Sequence, residues 1–90
     1  MSLEKNLKLA KLFDIYGGLL SKNQQEVYSD YLNNDLTLSE VAENRGITRQ
    51  AVKDVVIKVE QKLAGFENKL GLSKRIDDLQ SELKFLKKED

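Results

Sequence analysis

Hydrophobic positions recur along this chain at the three- and four-residue spacing of amphipathic helices. Leu9, Leu12, Phe13, Tyr16, Leu19 and Leu20 make one stripe over the first twenty residues, and Leu3, Leu7 and Ala10 mark a narrower second one. Gly17-Gly18 weakens this first helix near its end, each glycine by roughly 1 kcal/mol against alanine. Ser21 followed by Gln24 has the spacing of a capping box and predicts the start of a second helix. That helix presents Val27, Tyr28, Tyr31 and Leu32 on one side and stops in Asn33-Asn34-Asp35. Thr37 with Glu40 repeats the capping box and opens a short helix from Leu38 to Asn44. Gly46 then supplies a left-handed stop, and Thr48 caps the next helix.

The fourth predicted helix is the longest. Val52, Val56, Val59, Leu63, Phe66 and Leu70 alternate spacings of four and three, and Val55 widens the stripe. From about Arg49 to Leu70 it measures roughly 33 Å at 1.5 Å per residue. Such a length outreaches a compact four-helix domain, so its C-terminal half is expected to pack on the first helix or on another chain. Gly65 marks a place for a bend. Gly71 ends the helix, and Ser73 is placed to cap a last one carrying Ile76, Leu79, Leu83 and Leu86. Their three-four-three rhythm suits a coiled-coil seam but covers under two heptads, so this helix needs a partner surface. The predicted fold is all-α: a helix-turn-helix, DNA-binding-like helical bundle with a long fourth helix and a short C-terminal helix. Residues 1–70 form the helix-turn-helix domain, and 71–90 an amphipathic helix for oligomerisation or packing.

The most informative segment runs from Leu36 to Val55. A helix-turn-helix needs a small residue where its two helices cross, and Ala42 provides it. Four residues later the turn needs positive φ, which Gly46 adopts without a Cβ clash. Ile47 is expected to fill the space between the helices, with Val52 and Val55 burying the inner face of the second. Thr48, Arg49, Gln50, Lys53 and Asp54 then point outward. If this unit reads nucleic acid, Arg49 or Lys53 donates to guanine O6/N7 and Gln50 pairs with adenine N6/N7. The open N–H groups at the helix start, with the Thr48 hydroxyl, suit a phosphate. Arg45 and Lys58 flank as phosphate contacts. The alternative for each side chain is a solvated surface residue, and for the whole segment an ordinary helical hairpin; interaction domains also reuse this unit without touching DNA.

Composition narrows the chemistry. The chain has 90 residues, 15 basic and 15 acidic, and contains no proline, cysteine or histidine. Without His or Cys there is no zinc site of that type, no Cys–His nucleophile and no imidazole base. No Gly-rich phosphate loop is present, and Asp77-Asp78 and Glu89-Asp90 are adjacent carboxylates on a charged helix or chain end, not a held catalytic pair. A binder rather than an enzyme is expected, with no cofactor and no metal. No run is apolar enough to span a membrane, the first residues lack a signal-peptide core, and the absence of cysteine suits a reducing compartment; a cytoplasmic location is expected. The absence of proline fits uninterrupted helices.

Zero net charge is unusual for a nucleic-acid binder, but the charges are segregated. Between Gln24 and Asn44 stand five acids, Glu26, Asp30, Asp35, Glu40 and Glu43, and no base. Between Arg45 and Lys53 stand three bases and no acid. Arg45, Arg49, Lys53 and Lys58 together would give a salt slope of roughly −3 to −4 per protomer, about doubled in a dimer.

Three segments carry a family resemblance: Leu19 to Gln24, Tyr31 to Glu43, and Thr48-Arg49-Gln50-Ala51-Val52-Lys53-Asp54. With Leu12-Phe13-Asp14-Ile15-Tyr16, they resemble the YlxM-type helix-turn-helix proteins of bacteria over about residues 3 to 70. The Thr48 to Asp54 segment also resembles the promoter-reading C-terminal domain of sigma factors. The resemblance implies an all-helical, DNA-binding-like fold, a homodimer, and an accessory or regulatory role in the signal recognition particle pathway. Val55-Val56-Ile57-Lys58-Val59 is less polar and basic than in such relatives, which points Ile57 towards another protein. The last helix takes nothing from the resemblance. Three functions therefore stand open: a regulator of duplex DNA, an accessory binding signal recognition particle RNA or its basic protein subunit through the acidic band, and a helical dimerisation module.

Overall fold

The computed structural model describes residues 3–88, so the Glu89-Asp90 carboxylates lie outside the described residues, as does the side chain of Leu3. Five α-helices follow in order: α1 (Leu3–Tyr16), α2 (Lys22–Leu32), α3 (Leu38–Arg45), α4 (Arg49–Leu70) and α5 (Leu72–Lys88), with a 3₁₀ turn (Gly17–Leu19) between α1 and α2. No strand occurs among the described residues. The molecule measures 56 × 24 × 20 Å.

Each helix boundary has a local cause. Ser21 Oγ accepts from the Gln24 N–H while Gln24 Oε1 accepts from the Ser21 N–H, and Thr37 with Glu40 does the same at α3. The first contact accounts for the start of α2 and the second for α3. The Thr37 N–H bonds hold the Glu40 carboxyl below its usual range. After α2, Asp35 takes a left-handed φ of 56°, which Asp tolerates better than most residues. Gly46 (φ 66°) closes α3 with its own N–H on Glu43 O and the Ile47 N–H on Ala42 O, the paired bonds of a Schellman turn.

The central helix is α4, against which α1, α2 and α3 all pack. Val52, Val56, Val59 and Leu63 are buried along it, facing Leu12, Tyr16, Leu20, Val27, Tyr28, Val41 and Ala42 in one core. Phe13 meets Tyr28 edge-on with ring centroids 5.1 Å apart, a favoured aromatic geometry. The C-terminal half of α4 does lie on α1: Tyr16 contacts Phe66, and α4 runs unbroken through Gly65.

Four expectations need correction. Leu19 is exposed and Leu20 buried, because the 3₁₀ turn at the two glycines breaks the 3.6-residue period. In the second stripe Leu7 is exposed and Ala10 only half-buried. Leu70 is exposed, lying beyond the Tyr16–Phe66 contact at which the core ends. Finally, α5 starts at Leu72, two residues earlier than a Ser73 cap requires. Its open N–H groups are met from outside the helix. Leu72 N–H donates to Tyr16 Oη at 3.1 Å, and Ser73 and Lys74 N–H donate to the Glu67 carboxylate at 3.0 and 3.2 Å. Tyr16 in turn donates to Glu67 Oε1 at 2.6 Å. Hydrogen bonds from Tyr16 and from the Ser73 N–H hold the Glu67 carboxyl below its usual range, while burial, foremost, pushes the Tyr16 hydroxyl up.

Candidate nucleic-acid interface

The site is built on α3, the Gly46 turn and the first turns of α4. Ala42, 6% exposed, lets α3 approach α4, and Val41 and Val52 seal the crossing with no exposure at all. Val55 is half-buried. Ile47 departs from expectation: it is 40% exposed. Its N–H completes the Schellman turn, and Val41, Ala42 and Val52 already occupy the space it was expected to fill.

Thr48 caps α4, its Oγ1 accepting from the Ala51 N–H at 3.0 Å. The hydroxyl proton is left to donate elsewhere. The N–H groups of Arg49 and Gln50 open α4, where no carbonyl of the preceding turn is available to them. Arg49, Lys53 and Lys58 are exposed and make no hydrogen bond or ion pair among the described residues. Gln50 is exposed too, but its Nε2 donates to Asp54 Oδ1 at 2.9 Å, one turn along. Thr48, Arg49, Gln50 and Lys53 thus share the exposed start of α4, with Lys58 further along.

Arg45 stands apart from them. Its Nε donates to Asp30 Oδ2 at 2.8 Å and its Nη1 to Glu26 Oε2 at 3.3 Å, both from α2. The Asp30 hydrogen bond pushes the guanidinium, already basic, further up. Two of the five acids counted as a protein-facing band are therefore partners of Arg45, and only Asp35, Glu40 and Glu43 remain exposed without a base among the described residues. The sequence signal was present, in an Arg closing α3 after an acid-rich α2, but which acids it meets depends on how the two helices cross. Glu67 was missed altogether. Its only signal is a carboxylate four residues before the glycine that ends α4, hence over the start of the next helix.

Comparison with known proteins agrees with this architecture. Residues 3–90 match the UPF0122 family, described as "Putative helix-turn-helix protein, YlxM / p13 like". The chain belongs to this family. The match takes in α5, correcting the expectation that the last helix lies outside the resemblance. Among individual relatives, the UPF0122 protein of Thermoanaerobacter sp. strain X514 is 40% identical over 82 residues, covering 91% of this chain and 70% of the relative. That of Fusobacterium nucleatum is 36% identical over 89 residues, covering 99% and 86%. That of Desulforamulus reducens is 46% identical over 65 residues, covering 72% of this chain and 56% of the relative. A helix-turn-helix family of this kind suggests nucleic-acid binding. No helix among the described residues is long and apolar enough to cross a membrane, and no cluster of metal-ligating side chains occurs among them.

Proposed function

We propose that this UPF0122 protein is a cytoplasmic regulator that reads duplex DNA with the first turns of α4 and acts as a homodimer. One observation carries the reading. Arg49 and Lys53 are exposed and unpaired among the described residues, beside the open N–H groups of a helix start. In a major groove either base donates to guanine O6/N7, and Gln50, released from Asp54, pairs with adenine N6/N7. Thr48 and the open N–H groups take a phosphate, and Lys58 adds a backbone contact. Arg45 contributes only where a phosphate displaces Asp30 and Glu26. The likeness of Thr48 to Asp54 to the promoter-reading domain of sigma factors supports duplex DNA over RNA. With Arg45 held, three bases remain and the salt slope falls to about −3 per protomer.

The test is fluorescence anisotropy on labelled duplexes, for the wild type and the double variant Arg49→Ala/Lys53→Ala. The double variant is expected to bind at least about tenfold more weakly and to lose about two from the salt slope. Unchanged affinity and slope would overturn the reading.

The exposed carboxylates Asp35, Glu40 and Glu43 favour a second reading, an accessory role in the signal recognition particle pathway. Here those acids face a basic protein subunit while Arg49 and Lys53 touch RNA. A pull-down of that subunit insensitive both to salt and to reversal of Glu40 and Glu43 would count against it.

A further inference from the structure

The outward face of the α4 start carries a carboxylate among its bases. At 3.6 residues per turn, Gln50, Asp54 and Ile57 fall within roughly 60° of one another, opposite the buried Val52, Val56, Val59 and Leu63. Arg49 and Lys53 lie to one side of that line and Lys58 to the other. In a major groove such a helix turns its basic flanks towards the two backbones and its middle line towards the base edges. Asp54 stands on the middle line.

A carboxylate there needs a donor, because it loses water on binding and meets the field of the phosphates. In the free protein Asp54 is exposed, makes no ion pair among the described residues, and accepts from Gln50 Nε2 at 2.9 Å. Lys58, one turn on, does not pair with it, and Ile57, 44% exposed, has no donor to give. When Gln50 turns to adenine, it takes the donor away. A replacement must then come from the DNA. Guanine and thymine edges present only acceptors in the major groove. Adenine N6–H₂ stands between two acceptors, its own N7 and thymine O4, whereas cytosine N4–H₂ has an acceptor on one side only.

We propose that Asp54 is a specificity-determining residue that accepts from cytosine N4–H₂, in exchange for the Gln50 amide as that amide turns to a neighbouring adenine. The Gln50–Asp54 hydrogen bond links the two base positions: it opens only when both residues find their base. On other sequences it stays closed, Gln50 reads nothing, and the Asp54 charge opposes binding. This rests on the duplex-DNA reading above and adds to it the cytosine position.

Selection of bound duplexes from a randomised pool, then fluorescence anisotropy on the selected duplex and its single-base-pair changes, tests it. The wild type is expected to select a cytosine beside an adenine and to lose about tenfold in affinity when that C·G pair is replaced. Replacing the adjacent A·T pair as well should add less than about threefold, because the link is already closed. Asp54→Ala should bind all four bases at the cytosine position within about twofold, and bind unselected duplex a few-fold more tightly. Asp54→Asn should move the preference there to adenine, whose N6 and N7 an amide matches; a merely structural role predicts no such exchange. Asp54 is exposed, so circular dichroism should show both variants folded. A cytosine preference equal in the wild type and Asp54→Ala, or tight wild-type binding with no cytosine preference, overturns the proposal and leaves the Arg49/Lys53 reading standing. Losses at the two positions that multiply in full overturn the exchange with Gln50. Absence of any duplex binding overturns both the proposal and the reading beneath it.

Discussion

The starts of α4 and α5 solve the same problem with different means. Both begin just after a glycine with positive φ, Gly46 and Gly71, and both must satisfy N–H groups that have no carbonyl in a preceding turn. At α4 the cap is local, from Thr48 three residues before Ala51, and the helix is then anchored by four buried side chains. At α5 the cap is remote, from Tyr16 on α1 and Glu67 on α4, and none of its described side chains is fully buried. The first arrangement fixes a helix start rigidly while leaving its outer face free for a ligand. The second fixes only the direction in which a helix leaves the domain, and leaves a whole face open. Rigidity in α4 comes from the core; in α5 it comes from polar contacts, Tyr16 and Glu67 at its first turn and Lys11 on Asp77 at its second.

Breaking each support should separate the two. Leu63→Ala removes a fully buried side chain from the middle of α4 and is expected to cost about 2 to 5 kcal/mol of stability in urea unfolding. Leu79→Ala, on the open face of α5, should change the stability of the monomer by no more than about 0.5 kcal/mol. Next in size are the local devices at the α4 start. Thr48→Ala should cost about 1 kcal/mol through the lost cap, and Gly46→Ala a similar amount, because alanine is strained at φ 66° although nothing lies within 4 Å to obstruct its Cβ.

Acid should sharpen the contrast without unfolding the core. The Glu67 carboxyl is depressed in the folded state, so its contribution is complete above the ordinary carboxylate range and lost as pH falls through the folded value. Glu40 has the same sign at α3. Protonating Glu40 leaves Val41 and Ala42 holding α3 in the core, whereas protonating Glu67 removes the main hold on α5. Amide exchange followed down in pH, corrected for the intrinsic rate, should show Ser73 and Lys74 losing protection before Val41 does. Glu67→Gln should show that loss already at neutral pH. The smallest effect is expected from Arg45→Ala: with its guanidinium on Asp30 and Glu26, affinity for duplex DNA should change less than about threefold, well short of Arg49→Ala.

Much of the fold was legible because its signals are short-range. The capping boxes at Ser21 and Thr37, the glycines at 46 and 71 and the stripe along α4 from Val52 to Phe66 each speak of residues within a turn or two of one another, and each appears where the spacing placed it. What could not be read depends on residues far apart in the chain. Tyr16 was legible as a core residue, but its hydroxyl's role at Leu72 requires knowing that α1 ends beside the end of α4. Arg45 was legible as a base, but its neutralisation by Asp30 and Glu26 requires the α2–α3 crossing. The Ile47 error has a similar source: hydrophobicity pointed inward, while the turn geometry at Gly46 points it out. Of the candidate interface, the shared exposure of Thr48, Arg49, Gln50 and Lys53 followed from helical spacing alone.

The central claim is that the α4 start, and not α5 or the acidic side chains, is the ligand face. Two-dimensional ¹H–¹⁵N NMR of the full chain titrated with a short duplex DNA tests it most directly. The account predicts shifts concentrated on the amides from Gly46 to Lys53, with those from Leu79 to Lys87 unmoved and the response lost in Arg49→Ala/Lys53→Ala. Shifts centred on α5 or on Asp35, Glu40 and Glu43, or an Arg49→Ala/Lys53→Ala response equal to the wild type's, would contradict it.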